Sequence, residues 1–151
     1  MKNFFTLFAL LTAFSASFAF AQTEAAKKPA VKYKTPELTV AQIDQWLAKS
    51  DQVLVLDIRR PDELITFGSF PVFLNIQFTD LEKNLAYIPK DRSIITVSNH
   101  AGRAFAAGDL LTSKGYKVVG AAGSENYEQQ GGKAVTKIQK PAPKPVATTN
   151  P

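Results

Sequence analysis

The chain has 151 residues, a net charge of +5, one histidine and no cysteine. Without cysteine the protein has no thiol nucleophile, no disulfide and no thiolate ligand for a metal. His100 is the single histidine, so a zinc site would depend on carboxylates. We therefore expect no metal and no cofactor, and a length that leaves room for one domain.

Residues 1–21 have the features of a secretory signal peptide. Lys2 is positively charged, residues 4–14 are almost wholly apolar, and Ala19-Phe20-Ala21 forms a small-x-small cleavage site. Cleavage there would make Gln22 the first residue of the mature chain. The alternative is an uncleaved anchor, because residues 4–21 nearly reach the ~20 residues that span a bilayer. We expect export, into the periplasm if the source is a Gram-negative bacterium, and membrane contact only through the signal peptide.

The excess positive charge lies outside the predicted domain. Residues 38–132 contain eleven acidic and nine basic side chains, whereas residues 22–37 and 133–151 contain four lysines each. We predict a flexible Lys/Ala/Pro linker over 22–37 and a disordered Lys/Pro tail over 133–151. Residues 140–145 can only be extended or polyproline-like. No aromatic residues alternate with the tail lysines, so we expect no nucleic-acid binding.

The predicted domain begins with a helix and a buried strand. Thr39 and Gln42 have the spacing of a capping box, which starts a short amphipathic helix that ends near Ser50. Trp46 is expected to anchor this helix in the core. Residues 53–58 form a continuous apolar run with a polar end, which is typical of a strand buried on both faces of a parallel sheet.

The middle of the domain is predicted to contain short elements. Pro61 suits the first turn of a helix, and Asp62 and Glu63 complement the dipole of that turn. Residues 72–76 can form a second strand, and a helical turn begins at Thr79. The sequence therefore continues the alternation of helices and strands.

The C-terminal half repeats this pattern. We predict a third strand over 93–97, a helix over 103–114 closed by Gly115, and a fourth strand over 116–120. A last short helix begins near Gly123. Helices that alternate with apolar strands predict an α/β domain with a mostly parallel sheet over residues 38–132.

The candidate site is the loop that joins the third strand to the following helix. It consists of Ser98, Asn99, His100, Ala101, Gly102 and Arg103. A buried strand that feeds a tight loop and then a helix directs backbone N–H groups at one point, which predicts an anion cradle. Ligands of parallel sheets bind at the carboxyl ends of strands, where Ser98 is expected.

Charged residues near this loop have two interpretations each. Arg103 is either an anion clamp or a helix N-terminal residue paired with Asp57 or a loop carbonyl. Asp57 and Arg59 are supporting residues, and we favour an ion pair between them at a strand end over acid–base roles. Ser98 with His100 as base is a weak candidate for a hydrolase, because two residues in one tight loop rarely reach hydrogen-bond geometry.

The order of these elements resembles a single-domain rhodanese, a sulfurtransferase-type module. The matching pieces are Val55-Leu56-Asp57-Ile58-Arg59-Arg60-Pro61-Asp62-Glu63, Gly68-x-Phe70-Pro71 with Asn75, residues 94–97, and Gly115-Tyr116-Lys117-Val118-Val119 before Gly123. The resemblance implies a small sheet of about five parallel strands flanked by helices. It also implies that Ser98 stands where active members have a cysteine, which carries a sulfane sulfur as a persulfide in a loop with an arginine, here Arg103.

Four further positions depart from the family pattern. The loop glycine lies one place later at Gly102, and Ala104 replaces a hydroxyl residue. Ser69 replaces the histidine of a Gly-His-x-Pro-Gly turn, and Val72 replaces its second glycine. A serine hydroxyl forms no stable persulfide, so we expect an inactive homologue.

Two hypotheses follow from these observations. The first is an exported, non-catalytic rhodanese-like module that binds an unidentified protein partner or a small oxyanion or thio-anion at the 98–103 loop. The second is an enzyme with residual sulfurtransferase-type activity or serine-based hydrolase activity at Ser98.

Overall fold

Four parallel strands form the centre of the computed structural model, which describes residues 33–137. The strands are β1 (Val53–Asp57), β2 (Phe73–Asn75), β3 (Ser93–Ser98) and β4 (Val118–Gly123), in the spatial order β2-β1-β3-β4. The predicted signal peptide, most of the predicted linker and the tail from residue 138 onward lie outside the described residues. The α/β fold with a parallel sheet is therefore confirmed, with four strands within residues 33–137 where the resemblance implied about five.

Helices connect the strands in the order that the sequence pattern predicts. They are α1 (Val40–Leu47), α2 (Pro61–Phe67), α3 (Gly102–Ser113) and α4 (Ser124–Gln129). The capping box of α1 is present, since the Thr39 hydroxyl accepts from the amide of Gln42 and the Gln42 side chain accepts from the amide of Thr39. Two 3₁₀ segments, Phe78–Asp80 and Glu82–Tyr87, occupy the place of the helical turn predicted at Thr79. Between residues 33 and 137, every helix is too short or too polar to cross a bilayer.

The two faces of the sheet bury separate hydrophobic cores. On one face, Leu56 and Ile94 pack with Ala107 and Leu111 of α3. On the other face, Val55 and other inward side chains pack with residues of α1 and α4; this second core comprises Ile43, Val53, Val55, Phe70, Ile95, Val97, Ala122 and Tyr127. All six residues of β3 are buried, as expected for a central strand covered on both faces. Trp46 packs against the second core as predicted, but its side chain is half-buried and lies at the edge of this core.

Short segments extend the domain beyond the predicted limits of 38 and 132. Glu37 forms a parallel bridge with Ala121, which adds a single position of strand pairing outside β4. Before it, Thr35 is bound to α3, because its amide and hydroxyl both donate to Asp109 at 2.8 and 2.7 Å. At the other end, Thr136 pairs with Ser69 through two antiparallel backbone hydrogen bonds. The described end of the predicted linker and the first residues of the predicted tail are thus part of the packed structure.

The fourth strand ends three residues later than the sequence pattern predicts. Gly120, Ala121 and Ala122 lack the bulky apolar side chains that mark a strand in a sequence. Their small size has a structural reason at Gly120, where a Cβ atom would approach the side chain of Leu38 to 2.5 Å. The close approach of the segment before α1 therefore requires a residue without a side chain at this position.

Val72 has an unfavourable backbone conformation just before β2. Its φ angle is +54°, a region that β-branched residues rarely occupy because the Cβ atom crowds the backbone. The resemblance to the rhodanese pattern implies a glycine at this position, and glycine would tolerate this angle. The side chain of Val72 is exposed, so little burial of apolar surface offsets the strain.

We expect Val72→Asn to stabilise the protein by about 1 kcal/mol, because asparagine tolerates positive φ better than valine. The measurement is the midpoint of urea unfolding for the mature chain. Val119→Asn is the control, since Val119 is half-buried against the second core and has no positive φ. This control should lose stability. A loss of stability in Val72→Asn would show that Val72 is not strained.

Candidate functional site

The candidate site lies at the carboxyl ends of β1 and β3. Ser98 is the last residue of β3, and α3 begins four residues later at Gly102. Ala101 turns the chain with a φ of +61° and is buried. Gly123 lies against the loop so closely that a Cβ atom there would approach the Asn99 carbonyl oxygen and the Ala101 nitrogen to 2.9 Å each. The end of β4 therefore fixes the shape of the 98–103 loop.

Ser98 is enclosed by this loop. It is 1% exposed, and its Oγ accepts a hydrogen bond from the amide of Ala104 at 3.4 Å. The hydroxyl thus supports the first turn of α3 as a hydrogen-bond acceptor. No basic side chain is hydrogen-bonded to Ser98 among residues 33–137 that could remove its proton.

His100 points away from Ser98. Its Nδ1 atom is 3.2 Å from Oδ1 of Asn126, its Nε2 atom is 3.7 Å from Oε1 of Glu125, and its side chain is exposed. Both contacts are with α4, so the imidazole is directed to the surface beside that helix. The Ser98–His100 pair of the hydrolase hypothesis is therefore not formed.

Arg59 is the centre of a buried network beneath the loop. Its side chain is fully buried, and its Nε and Nη2 atoms donate to the two carboxylate oxygens of Asp57 at 2.9 and 2.7 Å. Nη1 donates to Oδ1 of Asn99 and Oγ of Ser124, and Nη2 also donates to the carbonyl oxygen of Gly68. All five N–H groups of the guanidinium therefore have acceptors. The expected ion pair of Asp57 and Arg59 is confirmed.

Asp57 is equally well satisfied. Besides the guanidinium, its carboxylate accepts from the Ser69 hydroxyl at 2.8 Å and from the backbone amide of Arg59 at 3.1 Å. The side-chain amide of Asn75 donates to the carbonyl oxygens of Asp57 and Arg59, both at 2.8 Å. No buried side-chain nitrogen or oxygen in the described part of the chain lacks a partner. The network is closed, which makes a structural role its simplest explanation.

Arg103 binds Glu63. The partners predicted from the sequence, Asp57 or a loop carbonyl, do not accept a hydrogen bond from it. The two guanidinium nitrogens Nη1 and Nη2 donate to the two carboxylate oxygens at 3.0 and 2.5 Å. Glu63 also accepts from the backbone amide of Arg60 and from the side-chain amide of Asn99. Sequence reasoning assigned Glu63 only to the helix dipole, because nothing local in the sequence indicates a partner 40 residues away.

This pair changes the electrostatics expected of the loop. The hydrogen bond from Arg103 lowers the pKa of Glu63, and the same bond raises the pKa of Arg103. Both groups are therefore charged at neutral pH, and their charges cancel across a bidentate contact. The guanidinium side chain is 41% exposed. The positive charge of Arg103 is thus already neutralised by Glu63 at the proposed anion cradle.

Two cavities in the described part of the chain lie away from the 98–103 loop. One, of about 410 Å³, lies between residues 34–36 and the end of α3, and the other, of about 390 Å³, lies beside the end of β2. Neither is lined by a residue of the 98–103 loop. Within residues 33–137 no three His, Asp or Glu side chains are grouped so as to hold a metal ion.

We expect Arg59→Met to destabilise the protein by about 3–5 kcal/mol, because it leaves the buried Asp57 carboxylate without its counter-ion. Urea unfolding of the mature chain measures the loss. Arg60→Met is the matched control, since Arg60 pairs with Asp62 on the surface. The control should unfold close to the wild-type midpoint. Equal effects of the two substitutions would contradict the structural role of the network.

Comparisons with known proteins agree with this architecture. A sulfurtransferase of Allochromatium vinosum is 31% identical over 80 residues, which cover 53% of this chain and 74% of that protein. The solved structure of a rhodanese-related protein from Thermoplasma volcanium has a TM-score of 0.59 and 26% identity, and the match covers 66% of this chain and 97% of that one.

A rhodanese-like domain protein from Staphylococcus aureus shares the fold, with a TM-score of 0.57 at 19% identity over 69% of this chain and 99% of that one. No model of a known protein family matches the chain. The sequence match covers most of the sulfurtransferase. The solved structure of the rhodanese-related protein shares the fold of the domain. This chain belongs to the rhodanese-like sulfurtransferase family, as a member that contains no cysteine.

Proposed function

We propose that this protein is an exported rhodanese-like module that binds a partner and does not catalyse sulfur transfer. The observation that carries the proposal is the state of Ser98, which stands where the family pattern has its reactive cysteine. A buried hydroxyl that accepts from the amide of Ala104 has neither the thiolate character nor the access that a persulfide carrier needs.

The remaining groups of the loop do not replace the missing thiol. A serine nucleophile requires a base within hydrogen-bond reach, and His100 instead faces Asn126 and Glu125. Arg103, which would stabilise a bound anion, already shares its guanidinium with Glu63. Neither residual sulfurtransferase activity nor serine hydrolysis therefore has a complete set of groups at this place.

A protein partner is favoured over a small anion for the same reason. A small anion would have to compete with the Glu63 carboxylate for Arg103, and that carboxylate accepts four hydrogen bonds from three residues. A protein surface, in contrast, can contact the exposed parts of the loop without displacing Glu63. The exposed imidazole of His100 and the exposed edge of Arg103 provide polar contacts at the rim of such a surface.

We expect the mature chain to show no transfer of sulfur from thiosulfate to cyanide above the rate without enzyme. The Ser98→Cys variant is the informative comparison, because it returns the thiol while changing a single atom. If this variant takes up sulfur, mass spectrometry detects one added sulfur atom on the protein after incubation with thiosulfate. Ser98→Ala is the control, since it removes the hydroxyl and adds no thiol.

The outcomes separate the hypotheses. Turnover by the native chain that disappears in Ser98→Ala would overturn the non-catalytic proposal. A melting temperature that rises with millimolar thiosulfate in the native chain and not in Arg103→Ala would favour the small anion over a protein partner.

Export is the second part of the proposal and rests on the signal-peptide pattern of residues 1–21. We expect the full-length chain, expressed in a Gram-negative bacterium, to be recovered from the periplasm with Gln22 as its first residue. N-terminal sequencing of the periplasmic fraction makes the measurement. Full-length protein retained in the membrane fraction would support the uncleaved anchor and contradict this part.

A further inference from the structure

The outer side of β2 carries backbone groups that have no partner in the described part of the chain. β2 is an edge strand whose one neighbour in the sheet is β1. The amide of Val55 donates to the carbonyl oxygen of Val72 at 3.3 Å, which fixes the phase of the ladder between the two strands. Because a parallel strand directs the backbone of alternate residues to the same neighbour, the N–H and C=O groups of Phe73 and Asn75 point away from β1. These groups are available to a further strand.

The opposite edge of the sheet is already covered. The carbonyl oxygen of Pro36 accepts from the amide of Ala121 at 2.8 Å, and the amide of Leu38 donates to the carbonyl oxygen of Ala121 at 2.9 Å. The segment before α1 therefore takes the place of a further strand beside β4. Within residues 33–137, β2 is thus the edge that remains open, so two copies that meet there leave no open edge for a third.

The sequence around β2 lacks the protection that open edges commonly have. Lysine and other charged side chains on natural edge strands repel a second strand, but residues 64–79 contain no charged side chain. The large apolar side chains that are exposed between residues 33 and 137 belong to the same part of the sequence: Ile65, Val72, Phe73, Phe78 and Tyr87. The region of β2 therefore has apolar surface that drives association and no charge on the strand that prevents it.

From these observations we propose that two copies of this chain associate through β2, which pairs in antiparallel orientation about a two-fold axis at Leu74. In this register Phe73 lies opposite Asn75 of the second copy, and Asn75 lies opposite Phe73 of the second copy. The outward N–H and C=O groups of both residues then form about four backbone hydrogen bonds. A second copy fits this edge because the register is self-complementary and brings no like charges together.

The side chains of β2 suit this pairing. The ring of Phe73 is 43% exposed in the single chain. Residues that are diagonal neighbours across two antiparallel strands are about 7–8 Å apart, which is within reach of aromatic side chains. The two Phe73 rings are diagonal neighbours in the proposed register, and Leu74 lies directly opposite its own counterpart. The pair therefore covers apolar surface on both faces of the strand.

The strained conformation of Val72 has a reason in such a pair. A β-branched residue at a φ of +54° costs free energy, and its side chain is 41% exposed in the single chain. Backbone strain persists where the strained residue serves an interaction. Val72 directly precedes the pairing residues, so a second strand at the edge shields its apolar side chain from water.

The short length of β2 limits the strength of the association. The strand comprises Phe73–Asn75, and the pairing adds few hydrogen bonds. Interfaces that bury less than about 1,200 Å² in total are weak and transient. We therefore expect a dimer that forms and dissociates with protein concentration.

Sedimentation of the mature chain over about a hundredfold range of concentration measures this equilibrium. The average mass should rise from that of the monomer toward that of the dimer and should not exceed it, because each copy offers one open edge. Phe73→Lys should weaken the association about tenfold or more, because it removes an apolar ring and places a charge on the edge. Ile65→Lys is the matched control, since Ile65 is exposed to the same extent but lies on α2. This control should dimerise like the wild type.

A single introduced cysteine tests the register. The chain contains no cysteine, so any disulfide must join two copies. Leu74→Cys should form a disulfide dimer under mild oxidation, because directly opposed Cα atoms are about 4.5–5.5 Å apart, within the range of disulfides. Val72→Cys is the control, since position 72 lies about 13 Å from its own counterpart in this register. Val72 is the more exposed residue, so random collisions would favour the control.

Three results would overturn the proposal. The mature chain remains a monomer at every concentration, or Phe73→Lys dimerises like Ile65→Lys, or both cysteine variants form disulfides at the same rate. If the chain dimerises only after truncation at Lys137, the tail covers the edge and the proposal is equally wrong for the mature chain. The sedimentation experiment does not depend on the folding of Leu74→Cys. All variants keep the 98–103 loop, so none of these results bears on the absence of sulfurtransferase activity.

Discussion

The buried guanidinium of Arg59 is the constraint on which the structure at the carboxyl ends of the strands depends. A charge without water must have a counter-ion and a full set of acceptors, and Arg59 draws these from four separate segments. Asp57 comes from β1, Gly68 from the end of α2, Asn99 from the loop after β3, and Ser124 from the start of α4. Because a displacement of any of these segments would leave an N–H group unsatisfied, the network fixes their relative positions.

This network explains how the loop can keep its shape without a reactive thiol. None of the five acceptors of Arg59 is supplied by Ser98. Asn99, which is tied to Arg59 through its carbonyl and to Glu63 through its amide, holds the loop from below. Gly123 at the end of β4 packs closely against the backbone of the same loop. The last position of β3, Ser98, is therefore free to change its chemistry while the surrounding backbone stays in place.

The sequence allowed prediction of those features that arise from neighbours along the chain. The capping box at Thr39 and the ion pair of Asp57 and Arg59 join residues two or three positions apart, and both are present. The alternation of apolar strands and helices also predicted the parallel sheet. The pairing of Arg103 with Glu63 was not predictable in this way, since the two residues meet only because α2 packs beside the start of α3.

Two further features, the end of β4 and the packing of the segment before α1, were not predictable from the apolar pattern of the sequence. Apolar bulk marks a strand in a sequence, but the end of β4 consists of glycine and alanine, and other segments approach Gly120 and Gly123 closely. Residues 33–37 were predicted as the end of a Lys/Ala/Pro linker, because that stretch shows no apolar period. Their order comes from the Asp109 carboxylate of α3, which accepts from the amides of Lys34 and Thr35, and from the bridge between Glu37 and Ala121.

The loop after β3 and the edge strand β2 differ in how far their surface groups are already satisfied within the domain. At the loop, the charges of Glu63 and Arg103 are paired with each other, so a small anion gains little there unless it breaks existing contacts. At the edge of the sheet, the strained Val72 and the exposed ring of Tyr87 leave apolar surface in water. Covering that surface releases water without breaking any internal bond. Covering apolar surface at the edge strand therefore costs fewer internal contacts than displacing Glu63 from Arg103.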